Sequence, residues 1–378
     1  MVTKVIWDRL LTVVCAAILC GILLVGLWPL TPHPTNMVAW SENGNGLYFG
    51  YYATALGADT FKPAEGETPC SLEIWANPDL LTFTWSSTML SFYSPEKLVS
   101  LSLHQNQRNL DFRHQNRNRQ GQVSEVQIYA KDVLREGTAA FITITASAQR
   151  TALYVNGTFI NSSSQFGLSS RDCAGQLVVA NSPVSNDCWM GHLRGLAIYD
   201  RELTSTEIIE HFNSWTKNGR PALSAKEGLT ALYLFDEGAG SIIHNHAGSA
   251  PDIYIPDHYL ILHQPLLEVP WKEYHPGWEY YKDILINIGG FIPLGFVFCA
   301  YFLSVLRLKR PQLVTILLGF TVSLTIEVLQ GFIPTRSSGM TDIITNTLGT
   351  AIGAMLFQWK ITEAIFSWLG IPSQHWKA

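Results

Sequence analysis

Long apolar runs at both ends of the chain restrict its fold more than any other feature. Residues 10–30 carry no charged side chain, and mainly apolar stretches recur at 284–306, 312–332 and 342–359. About 20 apolar residues cross a bilayer as a helix, because a helix rises 1.5 Å per residue. Residues 37–268 contain no run of that length. The sequence therefore predicts four transmembrane helices and a separate domain inserted after the first.

Basic residues beside these runs predict the orientation. Lys4 and Arg9 precede the first run, and Arg307, Lys309 and Arg310 follow the second. The positive-inside rule places both groups in the cytoplasm. Four spans then leave both termini in the cytoplasm and the inserted domain outside. A cleaved signal peptide is the alternative interpretation of the first run, although no small-residue cleavage site follows it.

The middle of the chain alternates apolar and polar residues in short segments, at a spacing typical of an all-β sandwich. Residues 72–76 and 140–145 are examples. Asn156-Gly157 lies between two such segments and predicts a two-residue hairpin. Thr204 and Glu207 form a capping box that starts a helix over 208–212. The predicted fold class is multidomain: an all-β sandwich and an α-helical transmembrane bundle of four spans.

Charge and cysteine spacing exclude some classes of partner. The net charge is −5 and no compact lysine and arginine cluster occurs, so nucleic acid is not an expected partner. The six cysteines have no metal-binding spacing, and we predict neither a metal site nor a cofactor. If the middle is exported, Cys173 and Cys188 form the expected disulfide, with Cys70 a free thiol or alternative partner. Three buried thiols are the other interpretation.

Seven polar residues interrupt the last three apolar runs. Ionisable groups at membrane depth cost a few kcal/mol or more and indicate a functional site by default. Asp283-x3-Asn287-x2-Gly290 and Asp342-x3-Asn346-x2-Gly349 share one spacing, which places each set on one helix face. The predicted topology puts all seven in the outer third of the membrane. The seven residues are Asp283, Asn287, Glu327, Gln330, Arg336, Asp342 and Asn346.

Three roles remain open for these residues. In the first, they form a buried network that fixes helix packing. In the second, they line a pocket for a lipid headgroup, with Arg336 binding the phosphate. In the third, two of the acids serve as general acid and general base in an intramembrane reaction. Because acids outnumber Arg336, we expect one or more acids to be protonated, bonded to the amides or paired with Arg336. A separate role, close helix packing, is expected of the small residues in these runs, because small side chains let membrane helices approach closely. We assign helix packing to Gly290, Pro293, Gly295, Gly349 and Gly353.

The same motifs resemble one family of small polytopic membrane proteins over about residues 280–360. The motifs are Asn287-x3-Phe291-x-Pro293-x-Gly295, Glu327-x2-Gln330, Pro334-x-Arg336 and Asp342-x3-Asn346-x2-Gly349. Together they are similar to the VanZ-like family. The resemblance implies a bacterial cytoplasmic-membrane protein of the cell envelope. Its namesake members lower susceptibility to teicoplanin-type glycopeptides and have no agreed catalytic activity, so we do not expect an enzyme.

A second resemblance covers about residues 40–215. The segments 71–75, 153–157 and 195–203 resemble the laminin-G-like branch of the concanavalin A-like jelly rolls. This implies two curved antiparallel sheets and, in many members, a carbohydrate or protein ligand on the concave face or rim. Calcium occurs in this family, but its ligands do not transfer to this chain. Asp59, Asn156 and Asp200 would serve equally well in turns.

Residues 229–240 depart from that family pattern. They look like the usual opening strand of such a jelly roll, yet they follow its closing helix. We expect them to pack back on the sandwich.

Arg108 to Arg119 is interpreted as an anion-binding loop or, with more support, as a solvated strand edge protected by charge. His244-Asn245-His246 is not assigned to a metal, because acidic partners are not spaced around it.

The predicted organisation has five parts. They are the first helix with its flanks (1–36), the external jelly roll (37–268), an interfacial aromatic linker (269–282), the bundle (283–360) and a cytoplasmic amphipathic tail (361–378). The expected partners are a membrane lipid or lipid-linked glycan and a cell-surface carbohydrate or protein. The rival functions are an intramembrane enzyme acting on a lipid-linked envelope substrate and a membrane anchor for an adhesive domain.

Overall fold

The computed structural model describes residues 2–42, 45–62, 68–79, 86–117, 123–147, 149–218, 228–248, 250–274 and 277–358. The chain divides into two compact units. One, the sandwich unit, is His33–Gln264, and the other, the helical unit, combines Met1–Pro32 with Pro265–Ala378. The predicted amphipathic tail lies outside the described residues.

The elements follow the chain in this order. The strands are β1 (Val38–Trp40), β2 (Leu47–Phe49), β3 (Ala55–Phe61), β4 (Ser71–Pro78), β5 (Ser87–Ser94), β6 (Leu98–Asn106), β7 (Asn109–Arg117), β8 (Val123–Ala130), β9 (Ala140–Ser147), β10 (Arg150–Val155), β11 (Thr158–Ser163), β12 (Gly175–Val179), β13 (Gly191–Tyr199), β14 (Leu229–Tyr233), β15 (Ile242–Ile243) and β16 (Ile253–Tyr254). The helices are α1 (Val2–Gly26), α2 (Ser205–Asn218), α3 (Pro270–Glu273), α4 (Trp278–Ser304), α5 (Pro311–Gln330) and α6 (Met340–Gln358).

Within the described residues the strands form two eight-stranded antiparallel sheets, as the sandwich prediction requires. Sheet 1 has the order β1-β2-β13-β4-β9-β10-β11 with β14 also paired to β13, and sheet 2 has the order β15-β16-β3-β12-β5-β6-β7-β8. Alternate residues of a strand point to opposite faces, so inward apolar side chains from both sheets meet. Phe49 of sheet 1 and Leu103 and Phe112 of sheet 2 are fully buried in this core.

Residues 229–254 complete both sheets, which confirms that the segment packs back on the sandwich. Leu196 of β13 pairs with Tyr233 of β14 in sheet 1. Ile253 of β16 pairs with Gly57 of β3 in sheet 2. The permuted order of the strands is therefore compatible with an ordinary sandwich. On one side of β13, residues 191–193 pair with β2 and residues 196–199 pair with β14.

Two local motifs behave as predicted. Asn156 and Gly157 have φ of 52° and 74° and join β10 to β11, since both residues tolerate this left-handed conformation. The backbone N–H of Thr204 donates to Glu207 Oε2 at 2.8 Å and caps α2, which is longer than the predicted 208–212. The helix α2 covers the outer face of sheet 1, where a side chain at Gly195 would overlap the ring of Trp215.

Three helices of the helical unit are long and apolar enough to cross a membrane. They are Val5–Gly26, Trp278–Ser304 and Pro311–Gln330 among the residues that the structure describes. The fourth predicted run forms the helix α6 but is not among these three. The α-helical part of the predicted fold class therefore stands with three candidate spans.

Glycines allow α4 and α6 to pack closely and in parallel. Gly349 lies against the backbone of Ile288, Gly353 against that of Ile292, and Gly295 against that of Thr350. A β-carbon at any of the three glycines would overlap a neighbouring backbone atom. Gly295, Gly349 and Gly353 thus lie where the two helix backbones approach each other, as the packing assignment expects.

The packing assignments of Gly290 and Pro293 are wrong. A β-carbon at Gly290 would meet open space, and Pro293 is exposed. The stripe of α4 that faces α6 contains Ile288, Ile292 and Gly295. At about 100° per residue, a residue two positions after Ile288 points to roughly the opposite side of the helix.

The predicted Cys173–Cys188 disulfide is also wrong. Cys173 is bonded to Cys70 instead. A β-bridge between Pro69 and Ser169 brings those two segments together. Cys188 is free, and its Sγ lies 3.3 Å from Tyr259 Oη. Closeness in sequence favoured the wrong pair, because the strand pairing that decides which cysteines meet is not local.

Candidate functional site

Polar side chains gather at one end of the helical unit. Gln330 Nε2, at the end of α5, donates to the carbonyl oxygen of Gly26, at the end of α1, at 2.6 Å. Asn287 Nδ2, near the start of α4, donates to Asp342 Oδ1, near the start of α6, at 2.7 Å. We call this group the polar end of the bundle. It contains Glu273, Asn287, Glu327, Gln330, Arg336, Asp342 and Asn346.

Glu327 is the most buried acid of the polar end, with a relative exposure of 1%. Its Oε2 accepts a hydrogen bond from the backbone N–H of Gly339 at 2.8 Å. Ser338 Oγ donates to its carbonyl oxygen at 2.7 Å. Arg336, Glu273 and Asp342 are its charged neighbours. The loop after α5 thus returns to bond the last turn of the same helix.

Asn346 is 5% exposed and only half satisfied. Its Nδ2 donates to Ser323 Oγ of α5 at 2.9 Å, which links α6 to α5. Its Oδ1 is buried and has no hydrogen-bond partner among the described residues. A buried acceptor without a donor costs about 1–3 kcal/mol. The polar end therefore holds an acceptor that a donor group of a ligand would satisfy.

Glu273 belongs to the polar end although it was not among the predicted site residues. Its Oε2 accepts a hydrogen bond from the backbone N–H of Thr341 at 3.1 Å. Gly339 makes room for it, since a β-carbon there would overlap the carboxylate. The segment was interpreted as part of an aromatic linker. The available signal was local: Pro270 followed by an acid within one turn is typical of a helix start.

The structure brings six of the seven predicted residues into the polar end and leaves Asp283 at its margin. Asp283 is exposed and makes no hydrogen bond or ion pair within the part of the chain that the structure describes, although it is a charged neighbour of Asp342. Arg336 is partly buried, and its Nη2 lies 3.4 Å from the carbonyl oxygen of Gly26. Glu327 and Asp342 thus share Arg336 as a charged neighbour, and Glu273 is a charged neighbour of both acids. This arrangement suits a ligand that carries an anionic group and hydrogen-bond donors.

A second polar surface occupies the outer face of sheet 2. Residues directly opposite each other on paired strands share one face. One row across the sheet is Ser91, Ser102, Arg113 and Gln127, and the adjacent outward row is Thr88, His104, Asp111 and Tyr129. We call these two rows the polar face of sheet 2. The apolar row between them, which contains Leu103 and Phe112, points to the core.

The polar face of sheet 2 combines one arginine paired to acids with two buried oxygen atoms that have no hydrogen-bond partner among the described residues. Arg113 Nε lies 2.6 Å from Asp111 Oδ2 and 3.8 Å from Glu125 Oε1. Asp111 Oδ1 and Ser91 Oγ are buried and accept or donate no hydrogen bond among the described residues. Buried polar groups are nearly always hydrogen-bonded in proteins, so these two atoms have capacity for a water molecule or a ligand. Tyr129 is 42% exposed on the same face and offers an aromatic surface.

Burial also sets the protonation of this face. Burial, together with the nearby Arg113, lowers the pKa of His104 to about 3, so this imidazole is neutral. Burial raises the pKa of Asp187, against the opposing effects of a Ser185 hydrogen bond and of Arg113. His104 Nε2 lies 2.8 Å from Ser102 Oγ. The histidine therefore acts as a hydrogen-bonding group on this face and not as a cation.

Both interpretations of Arg108 to Arg119 are wrong for the residues that the structure describes. Residues 109–117 form β7, which pairs with β6 on one side and β8 on the other, so the segment is neither a loop nor a sheet edge. Residues 118–119 lie outside the described part. The alternation of Asp111 and Arg113 around the apolar Phe112 was the signal for a strand with one polar face.

The residues weighed as calcium ligands have local roles. Asp59 Oδ1 accepts from the backbone N–H of Thr60 at 2.7 Å, and Asn156 Oδ1 accepts from that of Phe141 at 2.9 Å. Asp200 Oδ1 lies where a side chain at Gly228 would stand. The turn interpretation therefore accounts for Asn156, whereas Asp59 lies within β3 and bonds the backbone of the next residue.

Two family models match the chain. The model described as VanZ/LLP1 matches residues 242–361. The model described as the concanavalin A-like lectin/glucanases superfamily matches residues 44–209. The first match begins within the sandwich unit and covers the whole polar end, and the second includes most strands of both sheets. Both resemblances stated from the sequence are confirmed.

Similar solved structures cover about half of the chain. The binding domain of Paraclostridial Mosquitocidal Protein 1 is 15% identical, with a TM-score of 0.36, and the match covers 48% of this chain and 46% of that one. A pentraxin from Limulus polyphemus is 14% identical, with a TM-score of 0.33 and coverage of 47% and 78%. The receptor binding domain of botulinum neurotoxin D is 14% identical, with a TM-score of 0.37 and coverage of 47% and 46%.

The chain thus spans about half the length of the two toxin domains. A comparison with curated proteins finds no match.

Proposed function

We propose, from the premise that the chain joins a VanZ/LLP1 domain to a concanavalin A-like lectin domain, that it is a bacterial envelope protein that binds a lipid and a glycan. The sandwich is displayed outside the cytoplasmic membrane, α6 is the fourth span and both termini are cytoplasmic. The polar end of the bundle binds the headgroup of a membrane lipid or a lipid-linked glycan. Reduced susceptibility to teicoplanin-type glycopeptides is the phenotype that this proposal attaches to the lipid site.

The observation that carries the lipid site is the incomplete bonding of the polar end. Asn346 Oδ1 is a buried acceptor without a donor. Glu327 and Asp342 add carboxylates, and Arg336 adds one cation. A headgroup with a phosphate for the guanidinium and hydroxyl or amine donors for the acids fits this charge pattern. A headgroup carrying only negative charge fits it poorly, because acids outnumber the arginine.

The polar face of sheet 2 supports a glycan as the external ligand. Its buried Ser91 Oγ and Asp111 Oδ1 lack partners among the described residues, as donors and acceptors for sugar hydroxyls would. Asp111 and Glu125 flank the single guanidinium of Arg113, and His104 is neutral. The face is therefore acidic overall. We propose an uncharged carbohydrate, since an acidic sugar would meet repulsion.

Lipid retention tests the first site. We expect the full chain, purified in detergent, to retain a lipid that mass spectrometry identifies by its headgroup. Arg336→Ala and Asp342→Asn should each reduce the retained amount at least tenfold, because each removes a charged contact. Asp283→Asn is the matched control, since it changes an exposed acid of the same type in the adjacent helix.

Equal retention in all four proteins would reduce the polar end to a helix-packing network. The mass of the retained species also separates a simple headgroup from a lipid-linked glycan.

Binding to an array of neutral and acidic oligosaccharides tests the second site. We expect the full chain to bind neutral members and Arg113→Ala to lose at least tenfold in affinity, because Asp111 would lose its partner. Arg150→Ala, an exposed arginine at the start of β10, is the control. Preferential binding of acidic members, or unchanged binding by Arg113→Ala, would contradict the proposal.

A further inference from the structure

A group of potential metal ligands lies where β14 ends, apart from both sites described above. Asp236, Glu237 and His246 each present one ligand atom, and the three atoms lie within 4.8 Å of one another. Asp236 Oδ1 and His246 Nε2 are 3.7 Å apart. Ligands of a tetrahedral zinc ion, at about 2.1 Å from the metal, are roughly 3.4 Å from each other. Small side-chain rotations would therefore bring the three atoms to coordinating distance.

The backbone holds the two sides of this group together. The N–H of His246 donates to the carbonyl oxygen of Leu232 at 2.8 Å, and the N–H of Leu232 donates to Asn245 Oδ1 at 2.9 Å. Asn245 also bonds the backbone of Ala247. Two residues, Leu234 and the buried Phe235, separate the end of β14 from the two acids. His246 is thus fixed beside the two carboxylates, as a preorganised site requires.

The bonding of Glu237 leaves room for a cation. Its Oε1 accepts from the backbone N–H of His244 at 2.7 Å. Its Oε2 is shielded from solvent and accepts no hydrogen bond in the described part of the chain. The ionisable side chain paired with it is the exposed imidazole of His244, at 3.4 Å, and not a lysine or arginine. A metal ion would satisfy Oε2, which is costly to bury without a partner.

We propose that Asp236, Glu237 and His246 form a binding site for a divalent cation of the zinc class. Two carboxylate oxygens and one imidazole nitrogen match zinc better than calcium, which prefers six to eight oxygen ligands. Three protein ligands leave one position for water or for a ligand. The acids come from the loop after β14, ten and nine residues before His246. The acids are distant from His246 in sequence and meet it only through the fold, so the spacing around the histidines does not predict a metal site.

Zinc titration of the full chain in detergent tests the proposal. After removal of metals with a chelator, zinc chloride is titrated into the protein by calorimetry. We expect His246→Ala and Glu237→Gln each to lose one equivalent of bound zinc or to bind it at least tenfold more weakly. His246 is 41% exposed on its side chain, so we expect its replacement to leave the fold intact. His258→Ala and Asp257→Asn, an exposed pair elsewhere in the unit, are the controls.

Thermal unfolding gives an independent readout, because zinc should raise the unfolding temperature of the wild type and not that of His246→Ala. Identical zinc stoichiometry and affinity in the wild type and both site variants would overturn the site. Tighter binding of calcium chloride than of zinc chloride at this site would overturn the class of cation.

Discussion

Glu73 in the sandwich and Glu327 in the bundle are buried to the same degree, at 0% and 1% exposure, but they are bonded differently. Tyr199 Oη donates to Glu73 Oε2 at 2.8 Å, and His211 Nδ1 lies 3.1 Å from both carboxylate oxygens. Glu327 Oε2 has one hydrogen bond, from the backbone of Gly339, among the described residues. A carboxylate bonded on both oxygens fixes one arrangement of its neighbours. One that is bonded incompletely leaves capacity for a ligand.

The two regions also differ in how they are held together. In the sandwich, Tyr199 and His211 join sheet 1 to α2 through Glu73, and a disulfide joins Cys70 to Cys173. In the bundle, the described cysteines Cys15, Cys20 and Cys299 are free and glycines set the helix contacts. The sandwich is therefore built for one rigid arrangement. The bundle relies on close helix approach around a polar end that is not fully bonded.

Breaking the disulfide should have the largest effect and should be confined to the sandwich. The bond closes a loop of 103 residues. Removing a bond across a loop of this size costs about 4–5 kcal/mol by the chain-entropy argument. We therefore expect Cys70→Ser to lower the free energy of unfolding of the sandwich by that amount, measured by urea denaturation of the full chain.

Cys188→Ser is the matched control and should have little effect, because that thiol is free. Peptide mapping without reduction should recover Cys70 linked to Cys173. Recovery of a Cys173–Cys188 peptide would contradict the Cys70–Cys173 bond of the structure. It would also contradict the proposal that this bond stabilises the sandwich.

Replacing the two glutamates should separate their roles directly. Glu73→Ala leaves the hydroxyl of Tyr199 without its carboxylate partner and removes the carboxylate that His211 Nδ1 contacts, so we expect a loss of about 3 kcal/mol in the sandwich. Glu327→Gln keeps an acceptor for Gly339 and should cost no more than about 1 kcal/mol. Thermal unfolding of each variant in detergent measures the difference. Glu202→Ala, at an exposed position, is the control. Equal losses at both positions would remove the distinction between a structural and a ligand-binding carboxylate.

The sequence was most informative where the signal is local. Apolar runs predicted the helices, Asn156-Gly157 predicted a hairpin, and alternation predicted the sandwich. In α6, the spacing of Asp342, Asn346 and Gly349 identified the correct face, because the positions i, i+4 and i+7 all point toward neighbouring helices. In α4, the same spacing misplaced Gly290, since the contact stripe there is rotated to Ile288.

The features that sequence reasoning missed depend on distant chain segments. The cysteine that meets Cys173 is decided by a β-bridge about a hundred residues away in sequence. Glu273 joins the polar end because Gly339 leaves space for it. His246 meets Asp236 because β14 is held against the segment after β15. The spacing of residues along the chain does not predict these contacts.

The smallest predicted effect is a pH dependence that belongs to the sandwich. Burial holds the pKa of His104 at about 3 in the folded state, with Arg113 acting in the same direction. In the unfolded chain a histidine titrates near 6.5, so protonation favours unfolding. The contribution of His104 to stability is therefore complete above pH 6.5 and is lost progressively as the pH falls toward 3. At pH 5.5 the loss is about 1 kcal/mol.

His104→Gln should remove this part of the pH dependence, because glutamine keeps hydrogen-bonding groups near Ser102 and does not titrate. The free energy of unfolding, measured from pH 7.5 to pH 5.5, should then fall less steeply in His104→Gln than in the wild type. His258→Gln, at an exposed histidine of the same unit, should behave as the wild type. Parallel pH profiles for the wild type and His104→Gln would show that the polar face admits a charged imidazole. The face would then carry an extra cation, and the preference for an uncharged sugar, which depends on its acidic balance, would lose its basis.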